Sequence, residues 1–146
     1  MECLMDHIVL NVKDEEKMIF FYTEVLMLAP ERLEEYKAGE VPFPSVRLNS
    51  NTIIDLFPEK MWQNGYFADQ GRKHLNHFCI ALTKDAWQEL LGRLKENNIT
   101  IAEGPVSRWG ALGTGTSIYF KDPEENMLEA RYYESGEGTE KCLLSS

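Results

Sequence analysis

Two stretches about half a chain apart carry the same pattern, and this duplication limits the possible folds more than any other feature. DHIVLNVKD at residues 6–14 lies over NHFCIALTKD at residues 76–85, placing His7 on His77 at an offset of 77 − 7 = 70. TIIDLF, starting at Thr52, lies over NMLEAR, starting at Asn126, placing Asp55 on Glu129 at an offset of 129 − 55 = 74. Self-similarity at a long period marks a repeated supersecondary unit. Each half reads strand, helix, strand, strand, strand.

In the first half, residues 6–12 alternate: His7, Val9 and Asn11 fall on one face, Ile8, Leu10 and Val12 on the other. Asp14 is a candidate N-cap, Glu15 and Glu16 suit the first helical turn, and Met18, Phe21, Tyr22 and Val25 carry a helix to about residue 27. Strands are expected at residues 31–36, 45–49 and 52–57. Residues 58–75 show no period; a loop this long either lines a site or packs its aromatics, Trp62, Tyr66 and Phe67, back onto the body.

The second half repeats the order. A strand at residues 76–82 leads to a helix at 84–96, capped by Thr83, with Trp87, Leu90, Leu91 and Leu94 at core spacing. A short strand at 99–103, a glycine-containing loop at 104–114 and a strand at 115–120 follow. The Asp122-Pro123 pair and Asn126 mark a tight turn into a last strand at 127–133. The expected class is α+β, one domain over residues 1–133 made of two βαβββ modules at about 5–57 and 76–133. Residues 134–146 are expected to be a loosely ordered tail.

Asp55 and Glu129 are the odd residues, because carboxylates are poor in strands and costly to bury alone. Parity puts each histidine on the side of its strand away from the following helix; if the carboxylates share that side, facing modules gather His7, His77, Asp55 and Glu129. Such N and O donors suit Ni, Co, Zn, Mn or Fe. His74 is three residues from His77, hence on the opposite strand face, and reads as structural. Residues 104–115 hold four glycines but no Lys-Ser or Lys-Thr pair, which excludes a phosphate loop. Arg47, Arg108, Trp109 and Arg131 are candidates for holding an anionic group of a small-molecule substrate.

A net charge of −9 argues against nucleic acid, which demands clustered cations. No apolar run approaches the roughly 20 residues of a membrane span, and the start lacks a basic, then apolar, leader, so a cytoplasmic location with no membrane partner is expected. Three scattered cysteines, Cys3, Cys79 and Cys142, suggest free thiols rather than disulfides or a zinc motif.

DHIVLNV with FFYTEVLML, then LNHFCIAL, then SIYFKDPEENMLEARYY, resembles the vicinal oxygen chelate superfamily of glyoxalase I, fosfomycin-resistance transferases, extradiol dioxygenases and bleomycin-binding proteins, with EGPVSRWGALGTGTSIYFKDP most like its small glyoxalase-domain branch. The resemblance implies paired βαβββ modules forming a curled mixed sheet, helices on its outer face, around one divalent metal ligated by His7, His77, Glu129 and, one methylene short of the usual glutamate, Asp55. It further implies a homodimer with sites at the interface and a lyase or isomerase of glyoxalase type, with Glu129, then Asp55, as candidate base. The alternatives are a metal-free binding protein of bleomycin-resistance type and a fosfomycin-type thiol transferase. Whether a thiol cosubstrate is used stays open.

Overall fold

A computed structural model describes residues 5, 7–63, 75, 77–110 and 112–134. His74, Tyr66, Phe67, Cys3, Cys142 and, apart from Glu134, the tail expected at 134–146 lie outside the described residues. The chain divides into two compact units, residues 1–73 and 74–146. Each holds a four-stranded sheet with the same strand order.

In the first unit, β1 (His7–Val12) is followed by α1 (Glu15–Phe20), which runs on as a π-helical segment (Phe21–Val25). Asp14 caps the helix by accepting from the Lys17 amide at 3.1 Å. The change of helical pitch begins where the Thr23 hydroxyl donates to the Ile19 carbonyl at 2.8 Å, and the Leu26 amide then reaches back to the Phe21 carbonyl. Next come β2 (Ala29–Glu31), α2 (Leu33–Lys37), β3 (Ser45–Arg47) and β4 (Ile53–Pro58), giving the sheet order β1-β4-β3-β2. The strand expected at 31–36 is thus corrected: it ends at Glu31, Arg32 turns the chain at φ 57°, and Leu33 to Lys37 are helical. Glu34, Glu35 and Lys37 are ordinary helix formers, and local propensity wins on this exposed segment. Beyond β4, α3 (Glu59–Trp62) opens the stretch read as an aperiodic loop. Trp62 packs back, its indole donating to the carbonyls of Val12 at 3.3 Å and Phe57 at 3.1 Å.

In the second unit, β5 (Phe78–Ala81), α4 (Lys84–Glu96), β6 (Ile101–Gly110), β7 (Gly113–Lys121) and β8 (Met127–Tyr132) form the order β5-β8-β7-β6. This repeats the first sheet strand for strand. The expected loop at 104–114 is corrected to a long hairpin, Arg108 pairing with Gly115 and Trp109 with Thr114. The glycines are turn and close-approach positions within a β-forming run of Val106, Trp109, Thr114 and Thr116, not a break in it. The Asp122 carboxylate builds the turn before β8, accepting from the amides of Glu124 at 2.9 Å and Asn126 at 3.0 Å.

Each sheet turns one face to its helix. Leu10, Val12, Val46, Ile54 and Leu56 pack with Met18, Phe21, Tyr22 and Val25; Ile118, Phe120, Leu128 and Ala130 pack with Trp87, Leu90 and Leu94. Trp87 also donates its indole N–H to the Ala130 carbonyl at 2.9 Å, fixing α4 over β8. At the start of α4 the Thr83 hydroxyl accepts from the Ala86 amide at 3.2 Å. Thr83→Ala should therefore lower stability by about 1 kcal/mol in thermal or urea unfolding, with no change in any ligand affinity.

Candidate metal and substrate site

The opposite faces carry the odd residues. In the first unit β1 and β4 run parallel with Val9 level with Asp55, and Ser45 on β3 is directly across from Asp55. Asp55 is buried, and its Oδ1 accepts from the Ser45 hydroxyl at 2.6 Å. His7 lies level with Ile53 and is exposed. Arg47 ties down the adjoining turn: Nε contacts Glu31 at 2.5 Å, and Nη1 contacts the Asn49 and Ser50 carbonyls at 3.3 Å.

In the second unit Cys79, Glu129 and Tyr119 form one row across β5, β8 and β7. The next row holds Ala81, Arg131 and Ser117. His77 immediately precedes β5, two positions before Cys79, as His7 stands two before Val9. The equivalence of halves therefore holds at the level of strand register, despite offsets of 70 and 74.

Glu129 is the centre of this face, 2% exposed. Its Oε1 accepts from the Ser117 hydroxyl at 2.6 Å and from Arg131 Nη2 at 2.5 Å, while Oε2 lies 3.1 Å from His77 Nε2. Burial alone would raise its pKa; the hydrogen bonds from Ser117 and Arg131 and the guanidinium charge outweigh it and hold the carboxyl below its ordinary value. Arg131 is itself buried, and its Nη1 donates to the Tyr133 hydroxyl at 3.3 Å. Tyr119 stands edge-on to the His77 ring at 5.6 Å. Burial, then the neighbouring Glu129, raises its phenol pKa, against the pull of Arg108. Arg108 reaches Glu103 from a partly exposed position on β6. Burial first, and then the Glu129 charge, push the Cys79 thiol up to about 11, so it stays protonated at neutral pH.

The structure thus gathers His77, Glu129 and Arg131 on one face of the second unit, with Arg108 beside Tyr119, and places His7, Asp55 and Arg47 on the first unit. The side chain of Trp109 lies outside the described residues. Ser117, Tyr119 and Tyr133 were not singled out by sequence reasoning as site residues. Their strand parity was legible, but their register against β8 depends on the turn at Asp122 to Asn126.

Among the described residues no group of three or more His, Cys, Asp or Glu side chains is gathered to hold a metal. The pair that is gathered fits one: donors about 2.0–2.1 Å from a tetrahedral ion stand ~3.3 Å apart, close to the 3.1 Å between His77 Nε2 and Glu129 Oε2. Both nitrogen and carboxylate suit a borderline divalent ion.

Two βαβββ units of identical strand order, with a histidine and a buried carboxylate at the same register positions in each, define a duplicated α+β fold of the vicinal oxygen chelate class. Residues 4–130 match the Glyoxalase/Bleomycin resistance protein/Dioxygenase superfamily, and the chain belongs to it. It is 32% identical over 130 residues to the glyoxalase domain-containing protein RDO1 of Mycosarcoma maydis, covering 89% of this chain and 68% of that protein. It is 29% identical over 129 residues to virulence protein STM3117 of Salmonella typhimurium, covering 88% and 83%. The crystal structure of STM3117 superposes with a TM-score of 0.68 at 26% identity, over 91% of this chain and 98% of that one. A glyoxalase/dioxygenase from Nostoc punctiforme gives 0.69 at 27%, over 89% and 90%.

Proposed function

We propose that this protein is a divalent-metal-dependent enzyme of glyoxalase type, a lyase or isomerase acting on a small substrate held through two adjacent oxygens. The observation that carries this reading is the His77 and Glu129 pair, a nitrogen and a buried, ionised carboxylate oxygen side by side on the helix-free face. His7, at the matching register position of the first unit, is the third donor, and Asp55 the fourth candidate. A homodimer with sites at the interface is part of the proposal.

A bound Ni, Co, Zn, Mn or Fe ion supplies Lewis-acid stabilisation of a substrate oxyanion. The chain's own groups do the rest. Glu129, whose Oε1 accepts from Ser117 and Arg131, is a ligand and the first candidate base, with Asp55, whose Oδ1 accepts from the Ser45 hydroxyl, the second. Arg108, at the edge of the face beside Tyr119, is placed to meet an anionic group of the substrate.

A second reading, a metal-free binding protein, is favoured by one observation: Arg131 already neutralises Glu129 without any ion. Elemental analysis separates the two. Wild type grown with each metal in turn should retain a stoichiometric divalent ion, and His77→Ala should lose it. Wild type that holds no divalent metal under any supplementation sinks the enzyme reading.

A further inference from the structure

We propose that Arg131 is a positioning residue that decides which oxygen of Glu129 faces the site, and that Tyr133 together with the β6–β7 hairpin holds it in place. This rests on reading His77 and Glu129 as metal donors. Glu129 and Arg131 are two residues apart on β8 and therefore on one face, where the guanidinium reaches back along its own strand to Oε1 at 2.5 Å. Ser117 adds a second hydrogen bond to the same oxygen at 2.6 Å. With two donors fixed on Oε1, the carboxylate cannot swing, and Oε2 is the oxygen that lies toward His77.

The guanidinium is fixed in turn. Its other terminal nitrogen donates to the Tyr133 hydroxyl at 3.3 Å, and its carbon stands 5.7 Å from the Tyr133 ring centroid. That hydroxyl also accepts from the backbone amide of Leu112 at 3.3 Å, at the turn of the hairpin. A continuous chain of hydrogen bonds therefore runs from the hairpin turn through Tyr133, Arg131 and Glu129 to His77. Arginine is required for this because its planar fork presents two donors in fixed relative directions; a lysine ammonium offers one flexible centre.

The internal repeat provides a comparison within the same chain. The position two after the carboxylate is Arg131 in the second unit and Phe57 in the first, so Asp55 receives no such clamp from its own strand. A clamped carboxylate offers a metal one oxygen in one direction. Partners that orient a ligand in this way characteristically change metal affinity about 10–100-fold when removed.

The test uses full-length wild type, Arg131→Lys, which keeps the charge, and Tyr133→Phe, which removes one hydroxyl. Each is titrated with Co²⁺ and followed by visible absorption; the ring nitrogens of His77 are followed by ¹⁵N NMR in metal-free protein. Arg131→Lys should weaken Co²⁺ binding about 10–100-fold and alter the absorption envelope, Tyr133→Phe should do the same to a smaller degree, and both should shift the His77 Nε2 resonance. Wild-type affinity, spectrum and His77 resonance in both variants overturn the proposal. If Arg131→Lys does not fold, Tyr133→Phe decides alone. If wild type binds no Co²⁺, the metal reading fails, and the His77 resonance decides the positioning role by itself: shifted in the variants it stands, unshifted it falls.

Discussion

Glu129→Ala should cost about 3–5 kcal/mol of folding stability in urea unfolding of the metal-free protein. The reason lies with the partner left behind. Arg131 is 4% exposed, and Glu129 supplies its 2.5 Å charge-assisted hydrogen bond. Removing the carboxylate strands a buried guanidinium with no counter-charge from Glu129, and the Tyr133 hydroxyl neutralises nothing. An exposed pair such as Lys37 with Glu34 is worth far less, because water screens both charges before and after the change. Adding Arg131→Met to Glu129→Ala should restore a large part of the loss, since an apolar side chain removes the charge that made the cavity costly. A double variant as unstable as the sum of the singles, or a Glu129→Ala loss under about 1 kcal/mol, would show that the pair is solvated in solution.

The half-repeat was legible because it is written in alternation and in residues that stand out. His7 and His77, Asp55 and Glu129 are polar groups in apolar strands, and their positions survive as register: Val9 is level with Asp55, Cys79 with Glu129. What the sequence could not show was burial. Arg131 shares the Glu129 face by parity, but parity does not distinguish a cation that faces a substrate from one that clamps its neighbour, and the structure has it buried against Glu129 and Tyr133. Short-range signals misled in two places. Counting glycines hid the β6–β7 hairpin, whose intervening residues are good strand formers, and a strand was expected where Leu33 to Lys37 follow helix propensity. The π-helical continuation of the first helix at Phe21–Val25 has no signature in the apolar spacing, which a pitch change of one residue leaves intact.

Gly104→Ala should be nearly as damaging as Glu129→Ala, although it touches no charge. Gly104 sits where β6 slips register against β7, at φ +107°, a conformation L side chains rarely adopt. An added Cβ would stand 2.4 Å from the Ser117 carbonyl oxygen and 3.0 Å from Ile118 Cα. Neither atom can retreat cheaply: β7 is paired on both sides and Ile118 is wholly buried. Backbone strain and forced overpacking each cost about 1–3 kcal/mol, so a loss on the order of 4 kcal/mol is expected by urea unfolding. Gly92, in α4 with nothing within 4 Å of an added methyl, is the control; its alanine variant should be stabilised by about 0.5–1 kcal/mol. The consequence reaches the candidate site. The backbone that must move carries the Ser117 hydroxyl, which holds Glu129 Oε1 at 2.6 Å, so whatever Gly104→Ala protein remains folded should also bind a divalent metal more weakly. A Gly104→Ala protein as stable as wild type would mean that β7 yields at Ser117, and Glu129 would then lack the rigid backing that its fixed orientation requires.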